Sequence, residues 1–107
     1  MQKDENVFHV ILFSFKPGST EGQRQEAFLR LQSMGEDCGG KEAGILFWTV
    51  RENMDLRKSV HLVEVSAFKN YAALRKFKDH PKHKEIGELM KQIADWWTGD
   101  IYAPMPP

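Results

Sequence analysis

The stretch Val7–Lys16 reads VFHVILFSFK and is apolar on both of its alternating sides. Valine, isoleucine and phenylalanine favour extended backbone, so we expect a β-strand here. Successive strand residues point to opposite faces of a sheet, which divides the apolar side chains into two rows. The first row is Phe8, Val10 and Leu12, and the second is Ile11, Phe13 and Phe15. A strand with two apolar rows predicts a sheet that is covered on both faces.

A helix is predicted directly after this strand. Thr20 and Gln23 have the spacing of a capping box, which opens a helix, and the pair Gly39 and Gly40 can end it. Apolar residues recur between these limits at helical spacing, and they are Ala27, Leu31, Met34 and Cys38. Because a buried cysteine behaves as a small apolar residue, we expect Cys38 to fill the core and not to act as a nucleophile.

The second half of the chain predicts two strands, two helices and a last short strand. The strands are Ile45–Arg51 and Val60–Phe68, the first helix starts at Lys69, the second starts at Pro81, and the last strand covers 100–103. Proline suits the first position of a helix. The apolar stripe of the helix from Pro81 is expected to be Ile86, Leu89, Met90, Ile93 and Trp97, with Gly99 interrupting it.

The predicted order β-α-β-β-α-β is that of a ferredoxin-like α+β sandwich. A length of 107 residues is typical of one domain, so we expect residues 1–107 to form a single unit with its core at 7–103. We expect the first and third strands to be parallel neighbours at the centre of the sheet. The helices cover one face, and a second copy of the chain is the simplest cover for the other. The prediction is therefore a dimeric α/β barrel.

Charge and composition exclude several classes of partner. Fifteen basic and fifteen acidic residues give a formal net charge of zero, so we expect no nucleic-acid partner and no binding to an anionic membrane. The sequence has no long apolar span and no signal-like segment before the first strand, so we expect no membrane insertion. The single cysteine cannot form an internal disulfide, which favours a cytoplasmic protein.

The histidines are the candidate catalytic residues. His9 and His61 are each the second residue of a predicted strand, so parallel strands would place them side by side. His83 lies in the first turn of the helix that starts at Pro81, on the stripe that faces the sheet. An imidazole near the positive end of a helix resists protonation, so His83 could serve as a neutral base. We expect His80 to cap this helix and the other three histidines to share one pocket.

Two other interpretations of the histidines stay open at this point. His83 and His80 could serve only to tie the helix start to neighbouring backbone, and His9 and His61 could be satisfied core residues. Three histidines can also bind zinc, but their spacing matches no compact zinc motif, and we predict no metal site.

Three segments carry a family resemblance: HVILFSFK, VHLVEVSAF and FKDHPKHK resemble the stress-responsive dimeric α/β-barrel (Dabb) family. The resemblance spans residues 7–103, and its most specific part is the HPKH signature. It implies a ferredoxin-like monomer whose sheet packs on that of a partner, and the wider superfamily includes monooxygenases that use no cofactor. In a plant polyketide cyclase of this family, histidines match His9, His61 and His83, the last as catalytic base. Two pocket tyrosines of that cyclase fall on Leu31 and Phe77, so its phenol group is missing here.

Two functions follow as hypotheses. The first is a homodimer that binds a small apolar or aromatic molecule in a pocket between helices and sheet, with a lining of Phe28, Leu31, Phe77 and Met90. The second is a cofactor-independent enzyme, similar to a polyketide cyclase or a monooxygenase, with His83 as base and His9 or His61 as its polar partner. The sequence favours the first, since nothing beyond the histidines supplies an acid or a nucleophile. A second polar side chain in the cavity beside His83 would favour the second.

Overall fold

The computed structural model describes residues 5–106, which form a four-stranded sheet with helices on one face. In chain order the elements are β1 (Val7–Phe15), α1 (Glu21–Asp37), a short 3-10 helix (Gly40–Ala43), β2 (Ile45–Glu52), β3 (Leu62–Phe68), α2 (Tyr71–Asp79), α3 (Pro81–Ile93) and β4 (Ala94–Tyr102). This order confirms the ferredoxin-like α+β fold. None of the helices in this part of the chain is long and apolar enough to span a bilayer.

The sheet order is β2-β3-β1-β4, and every neighbouring pair is antiparallel. Val7 pairs with Phe68 and Phe13 with Leu62, so β1 and β3 run in opposite directions. The predicted parallel pairing of these two strands was therefore wrong. In a split βαβ unit the crossover through α1 makes β1 and β2 the parallel pair. The third strand inserts between them and must run against both.

The two predicted helix starts are confirmed in detail. The Thr20 hydroxyl accepts from the Gln23 N–H at 3.1 Å, and the Gln23 side chain accepts from the Thr20 N–H at 2.8 Å, which completes the capping box of α1. At α3, Pro81 occupies the first turn and His80 caps the helix, because His80 Nδ1 accepts from the Lys82 N–H at 3.0 Å. Both caps satisfy N–H groups that the helix itself leaves unpaired.

The C-terminal boundary differs from the prediction. The last helix ends at Ile93, and β4 then continues for nine residues paired with β1 along its whole length. Trp97 was expected on the apolar stripe of the helix, but it lies in β4 and is 58% exposed. Trp96, one residue earlier, packs against the core on the opposite face. Pairing with the full length of β1 provides hydrogen-bond partners for the backbone N–H and C=O groups of 94–102. The free energy of this pairing is greater than the local preference of these residues for a helix.

The core lies between the helices and the odd-numbered row of β1. Its largest fully buried apolar side chains are Phe68, Leu31, Leu74, Met90 and Val50. Cys38 caps the C-terminus of α1 and is buried, as expected of a filler. Burial and the nearby Asp37 charge raise the pKa of its thiol to about 11, which keeps it protonated and unreactive.

The even-numbered row of β1 forms the opposite, uncovered face of the sheet. Phe8 pairs across β4 with Ile101, and Leu12 with Trp97, so these side chains share that face. On the other side Phe8 and Phe47 both pair with Ala67. The exposed apolar side chains of this face include Leu12, Phe47, Trp97 and Ile101. We call this surface the open sheet face.

Candidate functional site

His9 lies near the start of β1 on the helix-covered face, between an acidic residue on each neighbouring strand. Its side chain is only 3% exposed. Its Nδ1 lies 2.5 Å from Asp100 Oδ1 on β4, and its Nε2 lies 3.6 Å from Glu64 Oε2 on β3. Phe68 and Phe77 contact the imidazole edge-on, with ring centroids 6.2 and 6.3 Å away. Burial lowers the pKa of His9, although Asp100 opposes this effect, so the ring is neutral near pH 7.

Glu64 is the residue that the sequence analysis missed. It is fully buried, and neither of its carboxyl oxygens has a hydrogen-bond partner among residues 5–106. Burial raises the pKa of this carboxyl to about 8, so it is mostly protonated at neutral pH. The signal was present in VHLVEVSAF, because strand alternation puts Glu64 in the same inward row as Leu62, Ser66 and Phe68. An acidic residue in a buried row is unusual enough to mark a candidate site.

His83 lies in the first turn of α3 and is half-buried, as expected. Its ring packs on Phe77 at a centroid distance of 4.7 Å. Burial, and then the charges of His9 and Lys78, lower the pKa of His83, while a hydrogen bond to the Lys78 backbone partly opposes this effect. The predicted direction of the pKa shift is thus confirmed, with burial as its main cause. A neutral imidazole is the form that can accept a proton.

His83 and Glu64 line the same small cavity, which has a volume of about 70 Å³. The other lining residues are apolar apart from the indole N–H of Trp96, and they are Ile11, Phe13, Leu31, Met34, Ile86, Gly87, Met90 and Trp96. Leu31 and Met90, two of the four residues predicted to line a ligand pocket, line this cavity. The cavity combines one neutral base, one protonated acid and an apolar wall, which is the usual composition of a small-molecule site.

Two other predicted residues lie apart from this cavity. Phe77 packs between His9 and His83 without lining the cavity. Phe28 lines a separate groove of about 290 Å³ near the start of α1, together with Arg24 and His61.

The prediction that His9, His61 and His83 share one pocket was wrong, because His9 does not line the cavity of His83 and His61 lies away from both. His61 precedes β3, and its Nδ1 accepts from the Phe15 N–H at 2.9 Å, at the far end of β1 from His9. With a strand rise of about 3.3 Å per residue, the six residues from His9 to Phe15 separate the two histidines by roughly 20 Å along β1. The antiparallel course of β3 is the cause, since it carries the start of β3 to the end of β1.

The described residues hold no group of three or more metal-binding side chains arranged around a common point. The candidate site consists of four titratable side chains. His83 and Glu64 line the cavity, and His9 lies between Glu64 and Asp100. Helix α3 carries His83, the central strands β3 and β1 carry Glu64 and His9, and the edge strand β4 carries Asp100.

The family model of the stress responsive A/B barrel domain, Dabb, matches residues 7–101 of this sequence. The chain belongs to the Dabb family. Of the curated proteins compared with it, none matches.

Solved structures with the same fold are similar to this Dabb domain over almost its whole length. A dimeric ferredoxin-like protein of unknown function from Thermobifida fusca is 14% identical, with a TM-score of 0.80, covering 94% of this chain and 93% of its own. A Dabb family protein from Mesorhizobium loti is 15% identical, with a TM-score of 0.76 and coverages of 95% and 99%. SnoaB, a cofactor-independent oxygenase from Streptomyces nogalater, is 15% identical, with a TM-score of 0.72 and coverages of 95% and 96%. At these identities the likeness shows the shared fold.

Proposed function

We propose that this Dabb domain is a cofactor-independent enzyme that removes a proton from a small, mainly apolar carbonyl compound. His83 is the general base, and neutral Glu64 is the hydrogen-bond donor to the carbonyl oxygen. The observation that carries the proposal is that the two side chains line one apolar cavity. A pocket for binding alone needs no base opposite a buried acid, so this pairing favours the enzyme over a passive binder.

The chemistry follows from the protonation states of the two groups. Neutral His83 takes a proton from the carbon next to the carbonyl group, and the electron pair of that C–H bond moves to the carbonyl oxygen. A protonated carboxyl in an apolar site can donate a hydrogen bond to the oxygen as negative charge develops there. The apolar wall keeps water away from this enolate, which strengthens that hydrogen bond. An enolate formed in this way can close a ring or react with a second substrate.

The volume of the cavity limits the substrate. About 70 Å³ is well below the 300 to 1,000 Å³ typical of pockets that enclose a drug-sized ligand. We therefore expect only the reacting end of the molecule to enter, as an aromatic or polyketide-like compound could do through its carbonyl group.

Similarity to a cofactor-independent oxygenase and resemblance to a polyketide cyclase both bear on the proposal. SnoaB is a cofactor-independent oxygenase with a similar fold, so this architecture supports chemistry without a cofactor in at least one protein. In the resembling polyketide cyclase a tyrosine accompanies the base, whereas Leu31 and Phe77 occupy the tyrosine positions here. Glu64 supplies the hydrogen-bond donor in their place. We further propose that the chain acts as a homodimer in the cytoplasm. The dimeric description of its structural neighbours supports the homodimer.

A deuterium-exchange assay tests this proposal. Small aromatic ketones and 1,3-diketones are incubated with the protein in D₂O, and NMR follows both their binding and the loss of the proton next to the carbonyl. We expect the wild type to accelerate exchange and His83→Gln to reduce the rate by about 10² to 10⁴ while retaining binding. Glu64→Gln should also slow exchange, and Lys84→Ala, at an exposed site on the same helix, should leave it unchanged.

Two results would contradict the enzyme. One is binding of these compounds to the wild type without any accelerated exchange, which would leave the passive binder as the better function. The other is exchange that His83→Gln does not slow, with the fold of the variant verified by near-UV circular dichroism.

A further inference from the structure

We propose that His9 is a proton path between Glu64, inside the cavity, and Asp100, at the protein surface. In this path Glu64 gains or loses its charge without contacting water, and His9 changes tautomer each time. His9 is thus a positioning residue that acts through Glu64. Only the catalytic consequence of the path rests on the proposed function, because the path is a property of the protein without substrate.

The geometry of His9 supports the path. Its two ring nitrogens face two different carboxyl groups, at 3.6 Å from Glu64 Oε2 and 2.5 Å from Asp100 Oδ1. The exposed fraction of the side chains rises from the cavity to the surface. It is 0% for Glu64, 3% for His9 and 30% for Asp100. Glu64 and His9 Nε2 both lack a hydrogen-bond partner in residues 5–106, and they face each other at 3.6 Å, so a small approach of Glu64 would let its proton pass to His9.

The surrounding charges determine where each proton lies at rest. Lys78, from α2, lies 3.5 Å from Asp100 Oδ2 and places a positive charge beside that carboxyl. Ionised Asp100 can only accept, so the His9 proton lies on Nδ1 and the lone pair of Nε2 points toward Glu64. Protonated Glu64 can donate to Nε2 once it closes the 3.6 Å gap between them. From α3 the titratable group facing His9 is His83, whose neutral form adds no charge.

The transfer conserves protons and involves three groups. When Glu64 ionises, its proton passes to His9 Nε2, and the proton on Nδ1 passes to Asp100 Oδ1. Asp100 then releases a proton to water, so that one proton has left the protein. His9 is neutral before and after, but its proton has moved from Nδ1 to Nε2, where it can donate to the buried Glu64 carboxylate. Asp100, which is partly exposed and lies beside Lys78, must then turn its carboxylate away from the unprotonated Nδ1. The reverse sequence protonates Glu64 again.

The path lets Glu64 equilibrate with the pH outside the protein, and that pH decides which form of Glu64 a ligand meets. With Glu64 protonated, the cavity offers a neutral hydrogen-bond donor, which suits a carbonyl oxygen. With Glu64 ionised, the cavity presents a carboxylate and repels an enolate. The path therefore lets the pH outside the protein select the active form of the site.

NMR of the full chain labelled with ¹⁵N and ¹³C tests the path without any substrate. Long-range ¹H–¹⁵N spectra identify the protonated ring nitrogen of His9, and the ¹³C shift of the carboxyl reports the ionisation of Glu64. We expect Nδ1–H at low pH and Nε2–H at high pH, with the change at the same midpoint as the Glu64 titration, near the pKa of about 8. Asp100→Asn and Glu64→Gln should abolish the tautomer change, and Glu88→Gln, on the surface of α3, should not affect it.

The wild-type titration decides the proposal even if a variant fails to fold. A His9 ring protonated on both nitrogens near pH 7, or a tautomer that stays constant while Glu64 titrates, would overturn the path. If either result is obtained and the protein still accelerates deuterium exchange through His83, the path is wrong but the proposed function is retained. A tautomer change in a protein with no exchange activity would overturn the proposed function and leave the path.

Discussion

Burial of Glu64 opposes folding at high pH, because the unfolded chain solvates its carboxylate and the core does not. Its pKa rises from 4.5 to about 8 on folding. The folded state therefore binds this proton more tightly than the unfolded state. The stability associated with the proton is complete below about pH 4.5 and is lost as pH rises to about 8.

Glu64→Gln should remove this loss, because glutamine has a similar shape and does not ionise. We expect wild type and variant to differ little in the free energy of unfolding at about pH 5, and the variant to be more stable by a few kcal/mol at about pH 9. Urea unfolding at both pH values measures the difference. A difference that is the same at both pH values would contradict a raised pKa for Glu64.

His9 and His83 have the opposite pH dependence. Burial lowers the pKa of both imidazoles below the ordinary value of 6.5, so the unfolded state binds their protons more readily. Their contribution to stability is present above about pH 6.5 and is lost as pH falls below it. The Glu64→Gln variant should still lose this stability as pH falls below about 6.5. The loss at low pH can therefore be compared directly with the missing loss at high pH in the same variant.

At the scale of elements, the start of α3 positions the catalytic base. His80 accepts from the Lys82 N–H, and Pro81 occupies the first turn, so the helix begins where His83 can face the sheet. We expect His80→Ala to lower the free energy of unfolding by about 1 kcal/mol, since it leaves an N–H of the first turn without its partner. Denaturant unfolding measures this loss.

His80→Asn is the matched variant for this prediction. Asparagine is among the best N-cap residues, so it should retain most of the stability that alanine loses. Thr20→Ala at the capping box of α1 should cost a similar amount and serves as a reference. Equal stability of His80→Ala and wild type would show that the cap contributes nothing to folding.

At the scale of the whole molecule, the open sheet face accounts for the second apolar row of β1. Leu12 on β1 is 37% exposed, and Trp97, which pairs with it on the neighbouring strand β4, is 58% exposed. A contiguous apolar face of this kind is unusual on a monomer, and a standard-size stable interface buries about 1,200 to 2,000 Å². We expect two copies to pack through these faces, and structural neighbours of the same fold are described as dimeric.

Leu12→Lys should disrupt this dimer, because it places a charge within the interface. Light scattering should give the mass of a dimer for the wild type and of a monomer for the variant at micromolar concentration. Leu29→Lys is the control, since Leu29 is 56% exposed on α1, away from the sheet, and should leave the dimer intact. A monomeric wild type would refute the dimer directly.

Local sequence patterns were sufficient to determine the element order of this protein. Two apolar rows identified β1, the capping residues placed the starts of α1 and α3, and the resulting order predicted the ferredoxin-like sandwich. These signals act between residues close in the chain, so they can be read without knowing which strands pair. The same holds for His83, whose place in the first turn of α3 follows from Pro81 alone.

Strand pairing decided the rest, and it depends on contacts between distant residues. The antiparallel course of β3 separated His61 from His9, and the long pairing of β4 with β1 ended α3 at Ile93. The same registers brought Glu64 and Asp100 to opposite sides of His9. Glu64 could have been noticed as an acid in an inward row, but no local pattern identifies its partners. Only the tertiary structure could show them, because three strands from different parts of the chain meet there.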